Sequence, residues 1–282
     1  MGAGRIGGEV AFLAAATGLV DELVIHDAIQ PFLHAQVLDL QHTGLDLWIS
    51  TDLREAATAD LGVFAAGSPR NPNIRSRADL LAANLPVADD CIRVLSRFPG
   101  VLVAITNPSD ANAYYITRKS GIDRARVLGF GGQLDSARFA IALRERGLGT
   151  TGTVLGDHGD HQVPVFSRSA PATPEAVREE ILAELLNSSM PVMQGKGGTV
   201  FGPAVHIVNL LRAVTEDRRE ILPVSVALEG EYGIEGCSLA VPAEVGKGGA
   251  RRIEEWPLDS WEQRKMNEAG AYERTLCAGL PL

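Results

Sequence analysis

At 282 residues, 45% hydrophobic and 22% charged, the chain is long enough to bury a large core, in one big or two medium domains. A net charge of -9 with scattered basic residues argues against a nucleic-acid surface, and no apolar run approaches the roughly 20 residues of a membrane-spanning helix. The N-terminus lacks the charged and apolar regions of a signal peptide, which points to a cytoplasmic protein, and Cys91, Cys237 and Cys277 form neither a C-x-x-C pair nor a disulfide framework.

The chain opens MGAGRIGGEVAF, with Gly2, Gly4 and Gly7 spaced G-x-G-x-x-G, and residues 4 to 18 read as an Ala-rich helix. This spacing is the fingerprint of a turn that cradles a dinucleotide pyrophosphate at a helix N-terminus, although a plain tight turn carries similar glycines. The fingerprint needs a β-strand in front of it, and only Met1 precedes Gly2. The expectation is that the intact protein starts upstream, with a short Val/Ile-rich strand. ELVIH (22 to 26) follows as a short buried strand that closes on Asp27, 20 positions beyond Gly7. A carboxylate there accepts hydrogen bonds from adenosine ribose hydroxyls and repels a 2'-phosphate, so NAD is favoured over NADP. The plainer role of Asp27 is a strand end or helix cap.

A helix around 31 to 44 comes next, then strands at LWIS (47 to 50) and LGVFAAG (61 to 67). After a loop rich in Pro, Asn and Arg, residues 77 to 97 have helical periodicity, and VLVAITNP (101 to 108) is a buried strand stopped by proline. Continuous apolar strands separated by helices imply a parallel sheet covered on both faces, a doubly wound α/β architecture. Beyond about residue 130 the pattern changes to long helices (132 to 146, 174 to 194, 200 to 215) interleaved with strands near 152 to 156, 221 to 228 and 237 to 252. The expected division is a Rossmann-type NAD-binding domain over 1–130 and a mixed α+β catalytic domain over 131–282.

Four later stretches, AAGSPRNPNIRSRADLL, ITNPSD, GFGGQLDSARF and LGDHGDHQVPVFS, resemble the signatures of the lactate and malate dehydrogenase family, in the family's order. The resemblance runs from Gly2 to about Trp261, and GFGGQLDSARF and LPVSVALEGEYG look closest to the halophile-type branch of malate dehydrogenases. The acidity is too mild to imply a halophile. The resemblance implies an oxidoreductase of the tricarboxylic acid cycle that uses NAD and assembles as a homodimer or homotetramer. Helical faces such as 31 to 44 and 200 to 215 suit that contact.

Oxidising a 2-hydroxy acid by hydride transfer needs a base for the hydroxyl proton, a cation for the carboxylate and a group to polarise the developing carbonyl. His158 in GDHGD is the candidate base, because an imidazole near neutrality both takes and returns a proton. Taken alone, a histidine among glycines and aspartates is more often a turn residue. The resemblance makes Asp135 of LDSARF the carboxylate that orients His158; its plainer role is helix capping with Ser136. Arg138, three residues on and on the same helix face, has the planar fork for bidentate capture of the substrate's C1 carboxylate. By resemblance Asn107 touches substrate and nicotinamide ribose, and Thr199 of KGGTVFGP faces the substrate pocket. Arg5 and Ile6 inside the glycine turn, and Asn84, complete the predicted cofactor contacts. No metal site is expected: His158 and His161 are close in sequence, but no H-E-x-x-H accompanies them.

Arg70 sits where malate enzymes of the family carry an arginine and lactate enzymes typically a glutamine. A second cation fits a second carboxylate, so the predicted substrate is a dicarboxylate, malate or oxaloacetate. The family stretch resembles R-x-P-G-x-x-R, with the second arginine polarising the carbonyl. Here the spacing departs: Arg75 lies five and Arg77 seven residues after Arg70, and Asn73 replaces the glycine. Arg77 is preferred because it precedes A-D-L-L as the family's arginine does. Two alternatives stay open: an L-lactate or other 2-hydroxy acid dehydrogenase, and a truncated or non-catalytic relative that holds NAD poorly.

Overall fold

A computed structural model describes residues 1–68 and 73–282; the predicted specificity residue Arg70 lies outside the described residues. The first half of the chain runs α1 (Arg5–Ala16), β1 (Glu22–Val24), α2 (Gln30–His42), β2 (Trp48–Ser50), α3 (Leu53–Ala56), β3 (Leu61–Phe64), α4 (Arg77–Leu95), β4 (Val101–Ala104), α5 (Ser109–Ser120), β5 (Val127–Gly129) and α6 (Gly132–Glu145). The second half runs β6 (Val154–Gly156), β7 (Gln162–Pro164), α7 (Phe166–Ser169), α8 (Glu175–Asn187), α9 (Met190–Lys196), α10 (Phe201–Thr215), β8 (Glu220–Glu229), β9 (Glu235–Gly246), β10 (Gly249–Ile253) and α11 (Ser260–Cys277).

Strand β4 shows why the apolar runs fold as they do. All four of its residues are buried. Because side chains alternate along a strand, Leu102 and Ala104 join one core with Phe64, Leu81, Leu95 and Ile116, while Val101 and Val103 join another with Val10, Ala14, Ile207 and Leu211. Both faces are covered by helices, so a run without polar alternation is the stable choice. Strands β3, β4 and β5 pair in parallel, and Gly129 of β5 meets Ser225 of β8 to join them to the antiparallel run β8-β9-β6-β7, with β10 on β9.

The other predicted parallel strands stand apart. β1 and β2 pair only with each other, as a two-stranded parallel sheet. Between β1 and β3 lies the main chain of the first two residues: Met1 N donates to Val63 O, Ala65 N donates to Met1 O, and Gly2 N donates to His26 O. With so little sheet beside it, β1 is not the buried strand expected, for Glu22 is exposed and Leu23 and Val24 are half-buried.

The later elements differ in detail from the sequence expectation. The helix expected over 174 to 194 is two, α8 and α9, because Pro191 in the first turn of α9 has no N–H and cannot continue the preceding helix. The strand expected over 237 to 252 is the hairpin β9–β10. α3, α5, β5, β7, α7 and α11 carry no expectation from the sequence. α11 begins at Asp259, which accepts from Trp261 N and Glu262 N in a capping box. Among the described residues no helix is long and apolar enough to cross a membrane.

Candidate active site

The three glycines of the opening turn have different reasons to be glycine. Gly2 has φ +90, and a Cβ there would lie 2.4 Å from Ala66 N; a Cβ on Gly7 would lie 1.9 Å from Gly2 O. Close approach of the segment after β3 requires the first, and packing of α1 against the turn the second. At Gly4, the uncapped N-terminus of α1, an added Cβ meets nothing within 4 Å. The first helical turn of α1 thus has no side-chain cap for its N–H groups among the described residues and open space beside Gly4, the arrangement that suits a pyrophosphate. Asp27 is held beside this turn: its Oδ2 accepts from Ala3 N at 3.0 Å and its Oδ1 from Ile29 N at 3.0 Å. Each carboxylate oxygen keeps a further lone pair for a ribose hydroxyl. These residues fit a dinucleotide.

Other predicted cofactor residues are placed less directly. Ile6 packs on the core beside α10, and Arg5 donates from Nη1 to Lys196 O at 3.2 Å. Asn84 is only 1% exposed, and its amide is taken up by main chain: Oδ1 accepts from Ser68 N at 2.7 Å, and Nδ2 donates to Asn107 O at 2.8 Å. It ties the segment after β3 to the end of β4. The Asn107 side chain stays exposed at that strand end, and Thr199 is half-buried just before α10.

At the other end of the site, one buried carboxylate organises an imidazole and a guanidinium. Asp135, in the first turn of α6, lies with Oδ2 2.6 Å from His158 Nδ1, while its Oδ1 accepts from Arg138 Nη1 at 3.0 Å. Its side chain is 1% exposed, against 17% for His158 and 19% for Arg138. The helical spacing puts Asp135 and Arg138 on one face, and the turn after β6 delivers His158 to it. A Cβ on Gly131 would lie 2.3 Å from His158 Cγ, so the imidazole packs directly on that backbone. Burial disfavours the imidazolium, but the charge and hydrogen bond of Asp135 outweigh it and raise the His158 pKa above its ordinary value.

Arg77 approaches from the start of α4. Its Nη2 donates to His158 O at 2.6 Å, and the His158 N–H donates to Asp110 Oδ2 at 2.8 Å. Arg75 is exposed, and its main-chain N–H donates to Asp79. Burial works to lower the Arg77 pKa, yet the carboxylates around it, Asp157 first, raise it. His161 stacks on Tyr272 with ring centroids 4.3 Å apart, and its N–H donates to Asp157 Oδ1. Among the described residues no group of His, Cys, Asp and Glu is arranged to hold a metal ion. Sequence reasoning missed Asp110, Asp157 and Glu273, all of which lie beside these groups. The first two sit inside quoted motifs, NPSD and GDHGD; Glu273 lies in α11, on the buried stripe Met266, Ala269, Gly270, Cys277.

Residues 1–129 match the lactate/malate dehydrogenase NAD binding domain, and residues 132–274 the lactate/malate dehydrogenase alpha/beta C-terminal domain. The chain is 36% identical to a malate dehydrogenase of Halobacterium salinarum over 95% of its length and 93% of that protein. It is 31% identical to L-lactate dehydrogenase 1 of Lactococcus lactis, over 96% of this chain and 90% of the other. Among solved structures, the malate dehydrogenase of Aeropyrum pernix superimposes with a TM-score of 0.87 at 32% identity, covering 99% of this chain and 97% of that one. With glycine turn, buried Asp135 and these matches together, the chain belongs to the lactate/malate dehydrogenase family, with NAD as its cofactor.

Proposed function

We propose that the protein is an NAD-dependent malate dehydrogenase that interconverts malate and oxaloacetate, with residues 1–130 serving the cofactor and 131–282 the substrate. The observation that carries the reading is the sharing of Asp135 between His158 and Arg138, which sets a base and a carboxylate-binding cation side by side. Bound NAD supplies the hydride acceptor. In oxidation, neutral His158 takes the hydroxyl proton at Nε2, since Nδ1 is held by Asp135. In reduction, the imidazolium returns that proton to the carbonyl oxygen. Asp135 stabilises the imidazolium while it lasts.

Arg138 has a planar fork suited to the C1 carboxylate, and Arg77 a cation suited to the polarised carbonyl, a role that its bond to His158 O favours over the exposed Arg75. Arg70 supplies the second cation, which matches the C4 carboxylate of a dicarboxylate and would be left unpaired against the methyl group of pyruvate. The altered spacing of the loop favours a second reading, an L-lactate or other 2-hydroxy acid dehydrogenase, because a shifted arginine changes what the loop reaches. R70Q decides between them. On the malate reading it lowers kcat/KM for oxaloacetate by about 100-fold while pyruvate gains or is unchanged; an unchanged oxaloacetate value would contradict it. A homo-oligomer is part of the proposal, supported by exposed apolar side chains on α2 (Phe32, Leu38) and α10 (Phe201, Val205); a cytoplasmic location rests on the sequence reading alone.

A further inference from the structure

Around the GDHGD turn lies a second set of ionisable side chains, drawn from four parts of the chain: Arg77 of α4, Asp110 of α5, Asp157 just after β6 and Glu273 of α11. Asp110, Asp157 and Glu273 are 1%, 2% and 0% exposed. Both carboxyl oxygens of Glu273, Oδ2 of Asp157 and Nε of Arg77 are buried without a hydrogen-bond partner among the described residues. Buried polar groups left unpaired are costly, and a native fold that keeps several together calls for a reason.

The geometry gives Arg77 two competing neighbours. Its Nη2 donates to His158 O, while its Nη1 and Asp157 Oδ2 crowd the same spot, 2.2 and 2.6 Å from where a Cβ on Gly159 would sit. Asp157, Asp110, Glu273 and the Tyr272 phenol all act on the guanidinium. Asp110, Asp157 and Arg77 act electrostatically on Glu273, which in turn acts on Cys237 of β9 and Cys277 of its own helix. Burial, then Asp110 and Asp157, push the Glu273 carboxyl up to about 9, with Arg77 opposing. Burial and Asp157 push Asp110 up to about 6. Burial and the crowding of three carboxyls about one cation therefore favour the uncharged form of Glu273.

We infer that Glu273 is a positioning residue: buried with both carboxyl oxygens unpartnered among the described residues, it leaves Arg77 on the His158 carbonyl, and a charge placed on it draws the guanidinium back onto the buried acids. This rests on the reading above in which Arg77 polarises the substrate carbonyl. Withdrawing that cation weakens binding of the 2-oxo acid and leaves the NAD turn at Gly2 to Gly7 untouched.

The test measures KM for oxaloacetate and for NADH between about pH 7 and about pH 10 in the wild type, E273Q and the apolar E273M. Taking the ratio of wild type to variant cancels the titration of His158. The oxaloacetate ratio is expected to climb about tenfold across this range, the size of one lost charge-assisted hydrogen bond, while the NADH ratio stays level. E273M gives the same result should the amide variant not fold. A level oxaloacetate ratio, or one that climbs equally for NADH, overturns the positioning role. Melting supplies a readout without turnover. An acid whose folded pKa is raised contributes stability that is lost as pH rises toward about 9, so wild type should lose melting temperature faster than E273Q. Parallel melting profiles overturn the uncharged Glu273. Absence of turnover with any 2-oxo acid at any pH is a distinct result that overturns the dehydrogenase assignment itself, and this role with it.

Discussion

Asp135 Oδ2 lies 2.6 Å from His158 Nδ1, a contact across 23 residues of sequence that fixes which imidazole nitrogen is left for chemistry. The same carboxylate holds Arg138, so three of the predicted substrate-site residues form one connected unit. D135N should keep the fold and lower kcat by roughly 100-fold to 10,000-fold, because an amide neither fixes the imidazole nor stabilises its charged form. Steady-state kinetics alongside a melting curve checks this: a variant that melts normally and turns over normally removes Asp135 from the mechanism.

The pH dependence follows from the raised His158 pKa. Reduction of the 2-oxo acid needs imidazolium, so its rate should fall as pH rises through a value above the ordinary histidine pKa; oxidation needs the neutral ring and should rise there. In D135N both limbs should move to lower pH. The pair's contribution to stability has the same sign: a raised histidine pKa stabilises fully below the unfolded value and is lost as pH rises through the folded one. Rate profiles of both directions in both proteins measure the shift.

Arg138 is expected to act on substrate binding through its guanidinium fork. R138Q should raise KM for the acid substrate by about 10-fold to 100-fold, the value of a charge-assisted hydrogen bond, with little change in KM for NADH. Equal rises in both constants would point to a folding defect.

Gly131 carries the imidazole on its bare backbone. G131A places a methyl group where His158 Cγ would be 2.3 Å away, so the ring must move off Asp135. A displacement near 1 Å at the reacting group costs about 100-fold in rate, and kcat should fall by that order while NADH binding, followed by fluorescence, persists.

Asp259 anchors α11. Its carboxylate caps the helix, and its Oδ2 accepts from Nη1 of Arg178, whose side chain is 9% exposed. D259A removes the cap and leaves a buried cation without its partner, a loss of about 3 kcal/mol or more that denaturant unfolding would read.

Much of this was legible in the sequence, and what was not has physical causes. β4 was readable because a strand buried on both faces has no polar position to confuse the pattern. His158, Asp135 and Arg138 stood in stretches that resemble the family's, and the structure brings the three together. The contact of Arg77 with His158 O spans 81 residues, and no local pattern records it. Glu273 was hidden by its chemistry, since a carboxylate in SWEQRKMNEAGAYERTLC reads as solvated, although its spacing from Ala269 and Cys277 places it on the buried stripe. The helix over 174 to 194 was drawn too long because the break at Pro191 falls among residues with otherwise unbroken helical periodicity. Arg70, to which the proposal assigns the choice of substrate, is read from sequence alone.

The central claim, a site built for a 2-hydroxy dicarboxylic acid, is tested most directly by kcat/KM for NADH-dependent reduction of oxaloacetate and of pyruvate by the wild-type protein. The account predicts a preference for oxaloacetate of about 100-fold or more, since a cation matched by the C4 carboxylate has no such partner in pyruvate. A preference for pyruvate, or equal values, would contradict it.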